Sequence, residues 1–362
     1  MRIKKALFLG TLCTAVSGMS LFAQAGVSYA KSAKEATEEI SSEEATEVES
    51  EEETSEEEVT YPITIEHAFG ETVIESKPER IATIGWENQD TTLALGVAPV
   101  GVSAANYGLV TDNNLHLWTD EAFADLGVEK PVVFDDVDGL DFEQISDCNP
   151  DVILAAYSGM TQEDYDTLSQ IAPVIPYKEK AWQTSWREQT IENAEGMGMK
   201  QEGEKKVKEV EDLIAEKLEE YPQLEGIPTA FCWISADDFS TFYVYLPADP
   251  RAAYLLDLGF TLPESVQKLA GETDDFNITV SRENADQLDD IQLMVVYGDE
   301  DLLKSLQEDK LMSQIPAIKN GAVALVDSTS ALAGACTPSI LSIPYEIDEY
   351  LQLLSDAAEN IK

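Results

Sequence analysis

EGEKKVKEVEDLIAEKLEEY (202–221) sets the architecture of the chain. Val207, Val210, Leu213, Ile214 and Leu218 recur at helical spacing, and lysines and glutamates fill the positions between them. The pattern predicts one amphipathic helix of about 20 residues, roughly 30 Å long. On both sides of it short apolar runs alternate with helical segments, which predicts βα units and mainly parallel sheets. Upstream the strand-like runs are Ile81–Ile84, Val97–Val102, Val152–Ala156 and Val174–Pro176, with a helix opening at Asp90 and stopped by Gly96. Downstream they are Thr229–Trp233, Thr241–Tyr245, Leu293–Tyr297 and Ala322–Val326. The expected fold is α/β. Two Rossmann-like lobes, 61–180 and 226–362, have mainly parallel sheets and are bridged by a single long α-helix within the segment 181–225.

Composition narrows the function. The 362 residues are 44% hydrophobic, enough for real cores, yet the formal net charge is −47. Phosphate neutralisation needs clustered Lys and Arg, so nucleic acid is excluded as a partner. The acidity is not confined to one tail: residues 61–362 hold 57 acidic against eighteen basic side chains. Residues 31–60 carry thirteen glutamates and no aromatic ring, which reads as a disordered acidic linker.

Residues 1–30 read as an export signal. Arg2, Lys4 and Lys5 precede the mostly apolar stretch Ala6–Phe22, and small residues offer cleavage after Ala25 or Ala30. A retained membrane helix is the alternative, since Ala6–Ala25 is just long enough to span. Lipid attachment at Cys13 fits less well, because Leu12 stands where a lipobox has a small residue. The expected location is the periplasm or the outer face of the cytoplasmic membrane. Without Cys13, three cysteines remain (148, 232, 336), which excludes a full disulfide framework and leaves at most one bridge.

A quasi-repeat links the two halves. DFEQISDCNPDVILAA (141–156) and SRENADQLDDIQLMVV (281–296) each open on a helix-capping residue, place Glu two positions later, and end in a strand. Glu143 and Glu283 therefore fall in equivalent first turns. There a carboxylate complements the helix dipole by about 0.3–1 kcal/mol, and the equivalent placement suits a two-fold-related partner.

Residues 63–102 (ITIEHAFGETVIESKPERIATIGWENQDTTLALGVAPVGV), with their His67-Ala-Phe-Gly70 hairpin, Lys77-Pro-Glu-Arg80 and Trp86-x-x-Gln89-Asp90, resemble the opening of iron-siderophore solute-binding proteins of ABC importers. Asp141-x-Glu143, Asn149-Pro150-Asp151, PYKEKAWQTSWREQ and Asp249-Pro250-Arg251 extend the resemblance across roughly 61–360. The resemblance implies two α/β lobes on one long helix and no catalysis. It also implies a ferric siderophore captured in the inter-lobe cleft, with no further cofactor and iron held through the chelator rather than by the protein. Glu143 and Glu283 would meet arginines on the permease subunits of the ABC importer. A haem- or corrinoid-binding protein of the same fold is the alternative; a two-lobed enzyme such as a glycosyltransferase would need a nucleotide site that the sequence lacks.

Open α/β sheets bind ligands in the loops after the carboxyl ends of their strands. That rule selects Trp86, Gln89, Asn106, Tyr107 and Tyr157 from the first lobe, and Trp233, Tyr243, Tyr245 and Arg251 from the second. KAWQTSWREQ (180–189) adds Trp182, Trp186 and Arg187. Ser185-x-x-Glu188 is a capping box, so Trp182 should lie in a loop while Trp186 opens a helix. The capping argument favours Trp182 as the ligand-facing indole, the alternative for Trp186 and Arg187 being packing and pairing with nearby acids. Trp118 reads as a residue of a polar loop. With only His67 and His116 present, neither a bare metal site nor hydrolase chemistry finds its residues.

Overall fold

A computed structural model describes residues 59–136 and 139–362. The signal-peptide reading of 1–30 lies outside the described residues, as does the linker but for Val59 and Thr60. An antiparallel hairpin, β1 (Ile63–His67) and β2 (Gly70–Ile74), opens the described chain. His67 Nε2 lies 2.9 Å from Thr72 Oγ1, which in turn donates to the Val174 carbonyl, so this histidine ties the hairpin to the first lobe.

The first lobe then runs β3 (Ile81–Thr83), α1 (Asn88–Ala94), β4 (Gly101–Ser103), α2 (Leu117–Asp125) and β5 (Val133–Phe134). It continues through α3 (Phe142–Asp147), β6 (Val152–Ala155), α4 (Gln162–Leu168) and β7 (Val174–Pro176). All five sheet strands are parallel, in the order β5-β4-β3-β6-β7. Parallel strands are covered on both faces, which explains why β6 reads as an unbroken apolar run and is buried throughout.

Two helices follow, α5 (Trp186–Gly196) and α6 (Lys200–Leu218). The second lobe comprises β8 (Thr229–Trp233), β9 (Thr241–Tyr245), α7 (Pro250–Asp257), α8 (Glu264–Ala270) and β10 (Asn277–Ser281). Then come β11 (Leu293–Tyr297), α9 (Glu300–Glu308), α10 (Pro316–Asn320), β12 (Val323–Val326), α11 (Ala331–Ala335) and α12 (Ser342–Ala358). Strand order is β10-β9-β8-β11-β12; β8, β11 and β12 are parallel, while β9 alone turns back, pairing antiparallel with β8 on one side and β10 on the other.

The long helix exists, buries Val207, Val210 and Ile214, and packs on α5 on one side and α12 on the other. It does not work alone. Helix α5 lies against α1, β6 and β7 of the first lobe, yet its first residue, Trp186, is buried in an apolar cluster with Phe231, Leu255 and Leu293 of the second. Backbone meets backbone as well. Leu109 N donates to Ser330 O at 2.9 Å, and Gly108 lies so close to Gly334 that a Cβ on Gly108 would stand 2.8 Å from its nitrogen.

The structure corrects some local expectations. The strand expected at 97–102 begins only at Gly101, because Pro99 interrupts the apolar run. Strands β5 and β10 were not anticipated: one has two residues, and the other, NITVS, is half polar. Trp118 is not in a polar loop but in α2, 3% exposed, its Nε1 donating to Asp90 at 2.9 Å. Cys148, Cys232 and Cys336 are all free.

Candidate functional site

Asn88, fully buried at the start of α1, holds two strand-to-helix loops side by side. Its Nδ2 donates to the carbonyls of Ile84 (2.7 Å) and Tyr157 (2.9 Å), and its Oδ1 accepts from Tyr157 N. Trp86 and Tyr157 are thereby fixed at the carboxyl ends of β3 and β6. Trp182 joins them through a hydrogen bond from its backbone N to Ser158 O. Its ring meets Tyr157 edge-on at 5.3 Å and lies over Gly159, where a Cβ would come within 2.5 Å of the indole. Trp182 has φ 61, a region uncommon for a residue with a Cβ and worth about 1–3 kcal/mol of strain. The contacts that hold it there also leave the indole 39% exposed toward the cleft.

The opposite wall is built around Asp249-Pro250-Arg251. Asp249 caps α7 by accepting from Arg251 N, and its carboxylate also takes Arg251 Nε (2.8 Å) and Nη2 (2.6 Å). The guanidinium is thus held over the Tyr245 ring, its Cζ 4.0 Å from the ring centroid. Burial works against its charge, but the Asp249 hydrogen bonds win and hold Arg251 firmly protonated. Two of its five N–H donors are taken by this carboxylate, leaving the rest for the cavity and for Tyr297.

Between these walls lies a cavity of about 370 Å³. Trp86, Tyr107, Tyr157 and Trp182 line it from the first lobe, and Trp233, Tyr245, Arg251, Phe276, Tyr297 and Thr337 from the second. A second cavity of about 280 Å³ adjoins it inside the first lobe and shares Trp86 and Trp182. Ser103, Asn106, Asp136 and Asp164 line this inner space, with no Lys or Arg among the described residues that line it. Burial pushes the Tyr107 hydroxyl up to about 12 and those of Tyr157 and Tyr297 well above the usual phenol range. The phenols therefore stay neutral hydrogen-bond donors at any physiological pH.

Of the residues selected from sequence, Trp86, Tyr107, Tyr157, Trp182, Trp233, Tyr245 and Arg251 line the inter-lobe cavity and Asn106 lines the inner one. Gln89, Trp186, Arg187 and Tyr243 line neither. Gln89 is 5% exposed, turned inward on α1. Trp186 is 2% exposed and donates its Nε1 to Asp257. Arg187 pairs with Glu211 (2.6 Å) and Asp257 (2.7 Å) while stacking 4.4 Å above the Trp186 ring. These two acids hold its guanidinium on the α5–α6–α7 side, away from both cavities. Tyr243 is 40% exposed and packs beside Trp233, outside the cavity. Tyr297, Phe276 and Thr337 were missed. Tyr297 ends β11, so the strand-end rule that found Tyr157 would have found it; Phe276 and Thr337 carry no local signal.

Glu143 and Glu283 lie exposed in the first turns of α3 and of the short 3₁₀ helix Arg282–Gln287. Asp141 and Ser281 cap these turns, and the strands that follow, β6 and β11, occupy the same place in the two sheet orders. Arg282 turns aside to Asp309, at 3.2 Å, rather than neutralising Glu283. No cluster of metal-ligating side chains occurs among the described residues, and no helix among them is long and apolar enough to cross a membrane.

The two lobes, the connecting helices and the cleft match known proteins. The family described as periplasmic binding protein matches residues 81–329. The chain belongs to the periplasmic binding protein family. A solved relative, PiaA of Streptococcus pneumoniae TIGR4 in complex with ferrichrome, is 48% identical, with a TM-score of 0.80 over 83% of this chain and all of that one. The petrobactin-binding protein YclQ of Bacillus subtilis is 24% identical, covering 80% of this chain and 88% of its own. Staphylococcus aureus SirA complexed with staphyloferrin B (23% identical, TM-score 0.63, covering 83% of this chain and 99% of that one) shares the fold. This periplasmic binding protein is thus a substrate-binding component of an ABC importer, and its task is capture and delivery rather than catalysis.

Proposed function

We propose that this binding protein captures a ferric siderophore of hydroxamate type between its lobes and presents it to an ABC permease outside the cytoplasm. The observation that carries the reading is the inter-lobe cavity itself: stacking surface from both lobes, neutral phenol donors, and Arg251 as the single cation among the described residues that line it. A trisanionic triscatecholate would need several cations there, whereas the neighbouring inner cavity offers two carboxylates, Asp136 and Asp164. A charge-neutral ferric trihydroxamate needs only stacking and donors to its chelating oxygens, which Arg251 and the tyrosines supply. Ferrichrome, bound by the 48% identical pneumococcal protein, is of this class. Trp86, Tyr107, Tyr157, Trp182, Trp233, Tyr245, Arg251 and Tyr297 are the proposed contacts, with the iron held through its chelator. Glu143 and Glu283 are the proposed permease contacts, one on each lobe of a monomer.

Titration of tryptophan fluorescence tests the ligand class. Ferrichrome is expected to quench at submicromolar concentration and a ferric triscatecholate to leave the signal unchanged at a hundredfold excess. Quenching by the catecholate alone would reject the assignment.

A further inference from the structure

Behind Trp86 and Tyr107 the two lobes meet around a buried pair of ionisable groups, Glu87 (3% exposed) and His116 (2% exposed). His116 Nδ1 lies 3.0 Å from Glu87 Oε1, and its Nε2 lies 3.0 Å from the Tyr107 carbonyl oxygen. A carbonyl only accepts, so Nε2 must carry a hydrogen and donate it. The tautomer is then fixed, and the Nδ1–Oε1 contact closes only if it holds one further proton, on the imidazole or on the carboxyl. Two bare acceptors 3.0 Å apart in a dry site would repel.

We infer that His116 is a positioning residue for the ligand cavity, and that the proton it shares with Glu87 keeps Tyr107 and Trp86 in place. The ring has both residues in hand. It anchors the Tyr107 backbone through Nε2, packs against the Trp86 ring at 5.3 Å, and stacks on Trp118 at 4.6 Å. It also touches the second lobe: a Cβ on Gly334 would stand 2.7 Å from Nε2. Glu87 is held at φ 55, a left-handed conformation that turns its carboxyl back toward the ring.

The surrounding groups make the proton consequential. Asp90, in the first turn of α1, which Glu87 precedes, faces the pair and is satisfied by Trp118 Nε1 (2.9 Å), Thr119 Oγ1 (2.7 Å) and Ser339 Oγ (2.5 Å), the last from the second lobe. The other acids at the start of α2, Asp120 and Glu121, are turned to Asn113 and Tyr345. Trp86, Tyr107, Trp118 and Ser339 are neutral, and among the described residues no lysine or arginine forms an ion pair with Glu87 or Asp90. Burial raises Glu87 well above the usual carboxyl range, lowers His116, and pushes Asp90 up to about 7. All three directions favour a neutral, proton-sharing pair. Raising the pH strips that proton and sets a carboxylate against a lone pair beside the cavity wall.

The inference rests on the proposed function only through the choice of probe, ferrichrome, whose affinity is measured between pH 6 and 9.5. The native protein is expected to weaken at least tenfold toward the alkaline end. Glu87→Gln supplies a permanent N–H donor to Nδ1 and is expected to hold the pH 6 affinity across the range. His116→Ala is expected to be at least tenfold weaker at every pH. A native profile as flat as that of E87Q, or an E87Q variant as weak as H116A, overturns the inference. The ring is also read without any ligand, by ¹⁵N NMR in a chain with only two histidines. A His116 Nε2–H signal, with an Nδ1 shift that moves in E87Q, supports the shared proton, and the opposite tautomer refutes it. Failure of ferrichrome to bind at all rejects the proposed ligand class, and the NMR result then decides this inference by itself.

Discussion

In the first lobe every sheet strand runs parallel, so each ends at the cleft in a loop, and those loops deliver Trp86, Tyr107, Tyr157 and, from the loop before α5, Trp182. In the second lobe β9 turns back, and side chains at strand ends do part of that work: Trp233 closes β8 and Tyr245 closes β9. The cation also comes from this side, clamped by a helix-capping aspartate. One strand order thus carries two kinds of half-site, an indole-rich wall on loops and a guanidinium–phenol wall on rigid elements. In the proposed binding mode a ligand satisfies both, which is how a two-lobed protein would make binding report on the position of both lobes.

The comparison breaks most visibly at the outer surface, where the lobes are most alike. Reversing charge at Glu143 and Glu283 together is expected to abolish uptake while leaving the dissociation constant within twofold of native. Unchanged transport in cells would show that the paired turns are not the permease contacts. Inside the cleft the walls should be unequal. Arg251→Gln is expected to weaken ferrichrome about 100-fold, near 2.7 kcal/mol, and to lower the melting temperature because Asp249, 1% exposed, loses its partner. Calorimetry showing less than a threefold loss would move the ligand away from the second lobe. Trp182→Ala is expected to cost about tenfold, whereas Arg187→Ala, only five residues on, should leave affinity within twofold. Equal losses in the two variants would contradict their different placement.

KAWQTSWREQ shows what local sequence can and cannot tell. Both halves of the Ser185–Glu188 capping box form, so the separation of a loop Trp182 from a helical Trp186 was legible in ten residues. The fate of Arg187 was not, because its partners Glu211 and Asp257 are 24 and 70 positions away. The same distance effect hid Trp118: His116, at the N-cap of α2, makes no side-chain cap, and the acid that holds the indole lies on another helix. Strand ends were readable because apolar runs mark them, and so most cavity aromatics were found. Residues that reach the cavity from outside a strand end, such as Thr337 before α12, had no periodicity to betray them.

Gly108 and Gly334 sit at the foot of this arrangement, next to Tyr107 on one side and three residues before Thr337 on the other. Their backbones meet because neither bears a methyl group. Two missing carbons thus let the lobes come into backbone contact beside the cleft, and a side chain at either glycine would wedge them apart there.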